Sequence, residues 1–496
     1  MAQYADEKAS AKDGVETSVF TVDEQAERLD LAQFDFTEEE SRRIVRKFDW
    51  HILPFIWWCY LFNSLDRSNV SNAKSDGMTT DLNFPANGYA VMLSTFYVPF
   101  SVLVVPGVML TRKIGPKWTI PGYMAGWGTM AMLNAAAKSY AGVLVVRILL
   151  GAFEAGFAAS LIFYLTTFYN RGELGARVAV FYSCNALSGA FSGLIAYGVF
   201  QMDSKIYGWQ ILFLVEGAFT VAFAVLTGIC LPWSIDSARF LTEREREVAR
   251  MRLLKDGSAT VGSKFDMHKF FKPLGDWKFY VFATIALCYG IAASVGGNFL
   301  TQIIGRFHYS TVKTNLFTVA PFVCGTIVLL ITACSSDYFR ERGLHLASSF
   351  LFVIVGCVIL VALPVTSVGA GYFATFLITC GAFTPSVLFH TWHQCNDPSE
   401  DGRSFRVGAF TFLANVGGIV SANIFLDKWS PGYVIPLAIT AGAEGLALIL
   451  VVSLRMWMWA DNRRRNKEQG VNWQSKDVPT AALADGPSNP DFRHFY

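Results

Sequence analysis

The chain has 496 residues, of which 53% are hydrophobic, 15% aromatic and only 16% charged, with a net charge of +2. It is far more apolar than a soluble globular protein and carries no charge excess suited to nucleic acid, so a polytopic membrane protein is expected. Its apolar stretches are continuous rather than alternating, which argues against a transmembrane barrel.

The first 40 residues include Asp23, Glu24, Glu27, Asp30, Glu38, Glu39 and Glu40 and few apolar side chains, so residues 1–50 are expected as a disordered cytoplasmic tail. They lack the basic and apolar regions of a cleaved signal, which leaves the first membrane helix as the targeting signal. Runs long enough to cross a hydrocarbon core of ~30 Å follow at 52–71, 88–110, 118–136, 140–168, 176–200 and 209–233. Six more lie at 278–304, 315–335, 344–365, 369–391, 406–427 and 432–458. The expected fold class is all-α and polytopic, with twelve transmembrane helices in two pseudo-symmetric six-helix halves, 51–233 and 278–459. A cytoplasmic linker at 234–277 joins them, and a cytoplasmic tail covers 460–496.

Asp66 and Arg67 close the first run. At about 1.5 Å per residue they lie about 20 Å along a helix that enters near residue 52, in its outer third. Arg147 and Glu154 sit on nearly one face of the fourth run, Glu154 about 10 Å deeper. An ionisable side chain at mid-bilayer costs on the order of 3 kcal/mol, so such residues usually face a protein-lined cavity and mark an ion or substrate path. Arg147, planar and always charged, is suited to grip a carboxylate bidentately. At these depths Arg147 meets the end of the first helix, and Glu154 is left free to carry a proton. Asp66 is expected to pair with Arg147 or Arg67 and, once protonated, to release an arginine to the anion. The competing reading is a structural ion pair between the first and fourth helices, with Asp66 and Arg67 snorkelling to the headgroups.

Further along, Asn185, Ser188 and Ser192 read as packing residues beside the small pair Gly189 and Gly193. Glu216 and Glu444 are additional intramembrane acids. In the linker, Thr242 followed by Glu245 predicts a capped, basic surface helix resting on the inner leaflet. Asn298 and Gln302, with Tyr289 two to three turns earlier, form a substrate-lining stripe or a hydrogen-bonded helix contact. His390 and His393 are expected as solvated imidazoles at the cytoplasmic mouth of the tenth helix. Trp57, Trp58, Tyr60 and Tyr164 are candidates for specificity.

Lys and Arg concentrate in alternate loops: Arg42, Arg43, Arg46 and Lys47 before the first run, then Arg112, Lys113 and Lys117, Arg171 and Arg177, Arg340 and Arg342, and Arg403 and Arg406. The intervening loops are thinner, which places both termini in the cytoplasm. The nine cysteines suggest neither a disulfide framework nor a metal site, and no metal or other cofactor is expected.

Several strings carry a resemblance. The loop Arg112-Lys-Ile-Gly115-Pro-Lys117 after the second run echoes Asp337-Tyr-Phe-Arg340-Glu-Arg342-Gly343 after the eighth. With the 6+6 plan, these loops look like the major facilitator superfamily. Leu65-Asp66-Arg67-Ser68-Asn69 with Asn72-Ala73, Arg147-x-x-x-Gly151-x-x-Glu154-x-Gly156 and Trp392-x-x-x-Asn396 before Arg403 resemble its anion:cation symporter branch, nearest the fungal allantoate permease group of vitamin and organic-acid transporters. The similarity runs from about Asp49 to Trp459. It implies a gating latch at Arg112, Lys113 and Lys117 with Asp337 and Arg340, a cavity role for Asn415 ahead of Gly417 and Gly418, and a structural or gating role for Glu216 in the Phe213–Gly217 string. The first-half loop lacks the acidic residue that the family commonly has there.

The function expected is proton symport of a small organic anion into the cell, with Arg147, Arg67, Tyr289, Asn298, Gln302 and Asn415 at the substrate and Glu154 and Asp66 carrying the coupling. The expected partners are that anion, protons and the bilayer, expected to be the plasma membrane, without nucleic acid. Efflux of a metabolite or drug is an alternative, although 183–198 lacks the Gly-Pro motif of exporters. A transporter-like nutrient sensor is another, weakened by short tails. No nucleotide-binding loop and no nucleophile with its base point to an enzyme.

Overall fold

The computed structural model describes residues 36–255, 271–396, 400–475 and 489–496. Most of the expected acidic tail and part of the linker lie outside them. Every described element is helical. The main helices are α1 Glu38–His51, α2 Leu53–Ser75, α3 Gly88–Ile114, α4 Pro116–Ala135, α5 Tyr140–Ala155, α6 Phe157–Thr166, α7 Arg171–Val199, α8 Gly208–Cys230 and α9 Glu243–Lys255. They continue as α10 Trp277–Ser294, α11 Leu300–Gly305, α12 Thr311–Phe339, α13 Gly343–Ala362, α14 Val368–Ala382, α15 Pro385–Cys395, α16 Glu400–Ile424 and α17 Val434–Gln469.

Each apolar run in the sequence coincides with one of these helices or with a broken pair. Eight spans among the described residues are long and apolar enough to cross a membrane, and Gly88–Val104 is a shorter apolar helix. The helices at Leu53–Ser75, Pro116–Ala135 and Arg171–Val199 carry more polar residues and glycines. Three membrane helices are interrupted. α5 gives way to α6 at Gly156, a π turn at Val295–Phe299 joins α10 to α11, and Pro385, which has no N–H to donate, starts α15 after α14 ends.

The helices pack as two bundles. In the first, α4 packs on α8, α3 on α5, and α2 on α7 and α8; in the second, α10 packs on α16 and α17, and α13 on α14 and α17. Across the halves α7 meets α12, α3 meets α16, and α2 meets α11.

The two ends of the bundle differ. At the end remote from the termini, one apolar core draws on both halves, with Val70, Met78, Tyr89 and Met92 beside Val295, Phe299, Phe425 and Leu437. Polar clasps reinforce it: Lys74 Nζ lies 2.6 Å from Asp427 Oδ1, and Asn315 Nδ2 donates to Ser75 Oγ at 3.0 Å. At the end that carries the termini, the first-half core from Ile44 to Ala249 and the second-half core from Phe279 to Met458 are separate. The halves therefore share one apolar core at the far end and keep separate cores toward the termini.

α1 begins inside the stretch expected to be disordered. Thr37 and Glu40 form a reciprocal capping box, three glutamates occupy the positive first turn, and Ile44, Val45 and Phe48 are buried. This helix is the seat of α9. Thr242 and Glu245 cap α9 as the sequence suggests, but it does not lie free on a leaflet: Lys47 Nζ reaches Glu245 Oε1 at 2.7 Å, and the buried Arg252 reaches Glu173 at 2.6 Å.

Candidate functional site

The string Arg147-x-x-x-Gly151-x-x-Glu154-x-Gly156 acts first through its glycines. A Cβ on Gly151 would stand 2.4 Å from the Phe96 carbonyl oxygen, and one on Gly156 would stand 2.8 Å from the Gly107 Cα. Without those atoms α5 and α6 lie directly against α3, the close approach that small residues permit between membrane helices. That contact brings Phe96 and Phe100 beside the charges.

Arg67 and Glu154 meet at the centre of the first half. Arg67 Nε donates to Glu154 Oε2 at 2.5 Å. The Glu154 side chain is fully buried, whereas the Arg67 side chain retains 30% exposure. The guanidinium carbon sits 4.5 Å from the Phe100 ring centroid and 5.3 Å from that of Phe96, within cation–π range. Arg67 is thus the partly accessible cation of the cluster, with Glu154 behind it.

This pairing departs from the sequence expectation that Glu154 stands free and Arg147 meets the end of the first helix. The apolar run ends near residue 71, but α2 continues through Asn72, Lys74 and Ser75, so Arg67 lies near its middle, level with Glu154 in the Tyr140–Thr166 span. Polar residues that looked like a helix terminus are helical because they find partners. Asn69 donates to Glu216, Ser192 Oγ donates to Asn69 Oδ1 at 2.8 Å, Asn72 Nδ2 donates to Ser192 Oγ at 2.6 Å, and Thr301 Oγ1 donates to Asn72 Oδ1 at 3.3 Å. This chain links α8 to α11 across the halves, so Ser192 does more than pack.

Asp66 pairs with neither arginine. Successive helical residues diverge by about 100°, so Asp66 turns away from Arg67 and into the bundle. There its Oδ2 accepts from Trp127 Nε1 at 3.0 Å and from Thr220 Oγ1 at 3.1 Å. Arg147 is 3% exposed and forms no ion pair among the described residues; its guanidinium carbon is 5.9 Å from the Phe213 ring centroid, and its charge acts on Glu154, Tyr89 and Asp66. Trp127, Thr220, Phe96 and Phe100 were not singled out from the sequence. Only Trp127 carried a signal, since a buried indole N–H needs an acceptor.

The second-half stripe does not share one face. The π turn shifts the helical register between Tyr289 and Asn298. Tyr289 faces α15, its hydroxyl 3.3 Å from His390 Nε2; Asn298 Nδ2 donates to Tyr97 Oη at 3.2 Å; Gln302 Oε1 accepts from Lys74 at 3.3 Å in the far-end clasp. Asn415 turns back onto the Thr411 carbonyl of its own helix at 2.9 Å, while Gly417 packs α16 against the Leu287 carbonyl of α10. His393 is not solvated, whereas His390 keeps partial exposure. Their ring nitrogens lie 3.1 Å apart, and His393 is fully buried among Phe282, Phe389 and Phe410. Glu444 is also fully buried, with no hydrogen-bond partner for its carboxylate among the described residues.

The latch residues lie at the helix ends beside two tight turns, α3 to α4 and α12 to α13, at the terminus-bearing end. Lys113 is exposed, the Lys117 ammonium is 5.3 Å from the Trp118 ring centroid, and the Arg112 side chain lies outside the described residues. Asp337 pairs with Arg342 rather than with Arg340, which caps α12 in a left-handed conformation at φ 52°.

The Major Facilitator Superfamily model matches residues 56–422. The chain is 44% identical over 444 residues to the MFS-type transporter efuF of Hormonema carpetanum, spanning 89% of this chain and 90% of that one. It is 41% identical over 463 residues to the major facilitator-type transporter hxnP of Emericella nidulans, at 92% and 94% coverage. It is 26% identical over 460 residues to the high-affinity nicotinic acid transporter of Saccharomyces cerevisiae, at 92% and 85%. Among solved structures, a bacterial homologue of the human lysosomal transporter Spinster superposes with a TM-score of 0.60 at 12% identity, over 82% of this chain and 95% of that one. A polytopic helical fold, a family match over most of its length and relatives named as transporters together place this chain in the major facilitator superfamily.

Proposed function

We propose that the chain is a proton-coupled importer of a small organic anion with a single carboxylate, working by alternating access. The observation that carries this reading is the Arg67–Glu154 pair, in which the carboxylate is fully buried and the guanidinium is partly open and flanked by phenyl rings. An incoming carboxylate takes the place of Glu154 on Arg67, and Glu154 accepts a proton rather than remain a buried, unpaired charge. Coupling is then an exchange of partners at one arginine. Arg147 adds positive potential from behind, and Asp66 is the second protonatable carboxyl of the cluster.

Energetics favour the proton. An inside-negative potential opposes a bare anion by about 2.3 kcal/mol per charge per 100 mV, and one accompanying proton removes that term. The name of one relative, a high-affinity nicotinic acid transporter, supports a carboxylate cargo, as does the resemblance of the motif strings to anion:cation symporters.

In this reading the chain crosses the plasma membrane twelve times, six in each half, with both termini in the cytoplasm, so the present conformation opens inward. Tyr289, Asn298 and Asn415 line the second-half wall, the helix ends holding Arg112, Lys113 and Lys117 and Asp337 and Arg340 form the inner latch, and Gln302 serves the outer clasp. The test is uptake of a radiolabelled panel of organic acids into cells expressing the chain, at acid and neutral external pH. Monocarboxylates should accumulate, faster at acid pH. Stronger uptake at neutral pH counts against proton symport, and greater accumulation in cells lacking the protein indicates export.

A further inference from the structure

One sequence motif is not absorbed by the ion cluster. Trp392 and Asn396 stand far from Arg67, at the terminus-bearing end of α15, and what they hold is a piece of the same chain. The Asn396 side chain donates to the Phe495 carbonyl at 2.7 Å and accepts from the Phe495 N–H at 2.9 Å, while Trp392 Nε1 donates to the same carbonyl at 2.9 Å. Asn462 on α17 repeats the pattern one residue earlier. It donates to the His494 carbonyl at 2.8 Å and accepts from the His494 N–H at 2.7 Å. Two asparagines thus read two consecutive peptide units as a neighbouring strand would.

The side chains of the segment are held as well. Phe492 and Arg493 are fully buried, and His494 is 1% exposed. The Arg455 guanidinium carbon stands 5.2 Å from the Tyr496 ring centroid, and the Arg342 N–H donates to the Tyr496 carbonyl at 2.9 Å. The groove therefore suits an extended aromatic peptide and contains one, residues 489–496.

Its position gives the contact a consequence. α15 is separated from α14 by the break before Pro385, and, like α12, it touches α7 of the first half. A segment that ties α15 to α17 and to the start of α13 fixes this broken-helix piece, which reaches the first half, in its present arrangement. We infer that residues 489–496 form an intramolecular latch whose docking in the Trp392–Asn396–Asn462 groove favours the conformation open at the terminus-bearing end, and whose release speeds closure there. The gating half of this inference rests on the alternating-access reading; the groove itself does not.

The test uses purified full-length protein in which the exposed Cys230, Cys334 and Cys395 are replaced by Ser, with spin labels at Trp118→Cys and Tyr338→Cys, exposed positions at the terminus-bearing ends of α4 and α12. The intact chain should give a long inter-label distance. Ending the chain after residue 488, or the double variant Asn396→Ala with Asn462→Ala, should raise the short-distance population at least about fivefold, the shift expected from losing the net bias of one hydrogen bond. A peptide of residues 489–496 should bind the shortened protein saturably and restore the long distance, but should not do so in the double variant. Unchanged distances in both altered proteins, or absence of saturable peptide binding, overturn the latch. A lower melting temperature without a change in distance makes the segment a static cap and also overturns it. These readouts need no substrate, so a failed carboxylate panel leaves the latch standing and a failed latch leaves the carboxylate reading standing.

Discussion

Arg67 Nε and Glu154 Oε2 lie 2.5 Å apart across the contact between α2 and α5, and only the arginine retains access to solvent. The open member of this pair can be reached by an anion. The closed member cannot stay charged alone once its partner is taken, so substrate arrival and protonation are linked by one geometry.

Arg67→Lys keeps the charge but removes the planar fork and its stacking on Phe100. Uptake efficiency for the best panel substrate should fall about 10- to 100-fold, the range for losing a charge-assisted hydrogen bond, with normal membrane abundance. Initial-rate kinetics over a substrate series check this. A change within about twofold would remove Arg67 from the anion site.

Glu154→Gln keeps the shape and hydrogen-bonding capacity of the side chain but cannot exchange a proton. Counterflow between substrate-loaded and external pools should persist while accumulation against a gradient disappears. Intact pH-driven accumulation in this variant would assign coupling to another carboxyl.

Arg147→Gln removes a buried cation that is 3% exposed and forms no ion pair among the described residues. Without its charge the site attracts an arriving anion less, so initial uptake should fall severalfold. An unchanged rate would indicate that Arg147 only packs. Arg147→Lys should also lose most transport while inserting normally; near-normal substrate affinity there would rule out a contact with the anion.

Gly151→Ala places a methyl 2.4 Å from the Phe96 carbonyl oxygen and must push α3 away from α5. Overpacking of this kind costs about 1–3 kcal/mol, and the displaced phenyl rings should weaken substrate affinity as well. Gly142→Ala is the control, since its nearest neighbour is 3.6 Å away. Melting of the two detergent-solubilised variants separates them, and equal melting would mean that the α3 contact adapts.

Lys74→Ala unfastens the far-end clasp, removing the contacts to Asp427 and Gln302. A cysteine placed at Ser94, which bonds Asn423 across the halves, should then react faster with a membrane-impermeant thiol reagent applied outside whole cells. No gain in reactivity would show that the apolar seal around Phe299 and Phe425 suffices without the lysine.

Composition and the spacing of apolar runs were enough to read an all-helical membrane protein in two halves, because helix length and hydrocarbon thickness are local matters. The charges at Asp66, Arg67, Arg147 and Glu154 were also legible, since a charge inside an apolar run is conspicuous wherever it points. Local rules likewise placed the Thr242 cap and the small-residue packing at Gly189 and Gly193.

Partner choice was beyond local reading. Asp66 and Arg67 are neighbours in sequence and diverge on the helix, so one bonds Trp127 and the other Glu154. Polar residues at 68–75 look like a helix end until Glu216, Ser192 and Thr301 are seen to satisfy them. His393 looks solvated until the rings around it are placed. The sequence by itself determined which side chains were too polar for lipid and therefore needed partners. Only the tertiary structure decided which partners they found, because that depends on helix depth, on the register shift at the π turn and on glycine contacts between residues tens of positions apart.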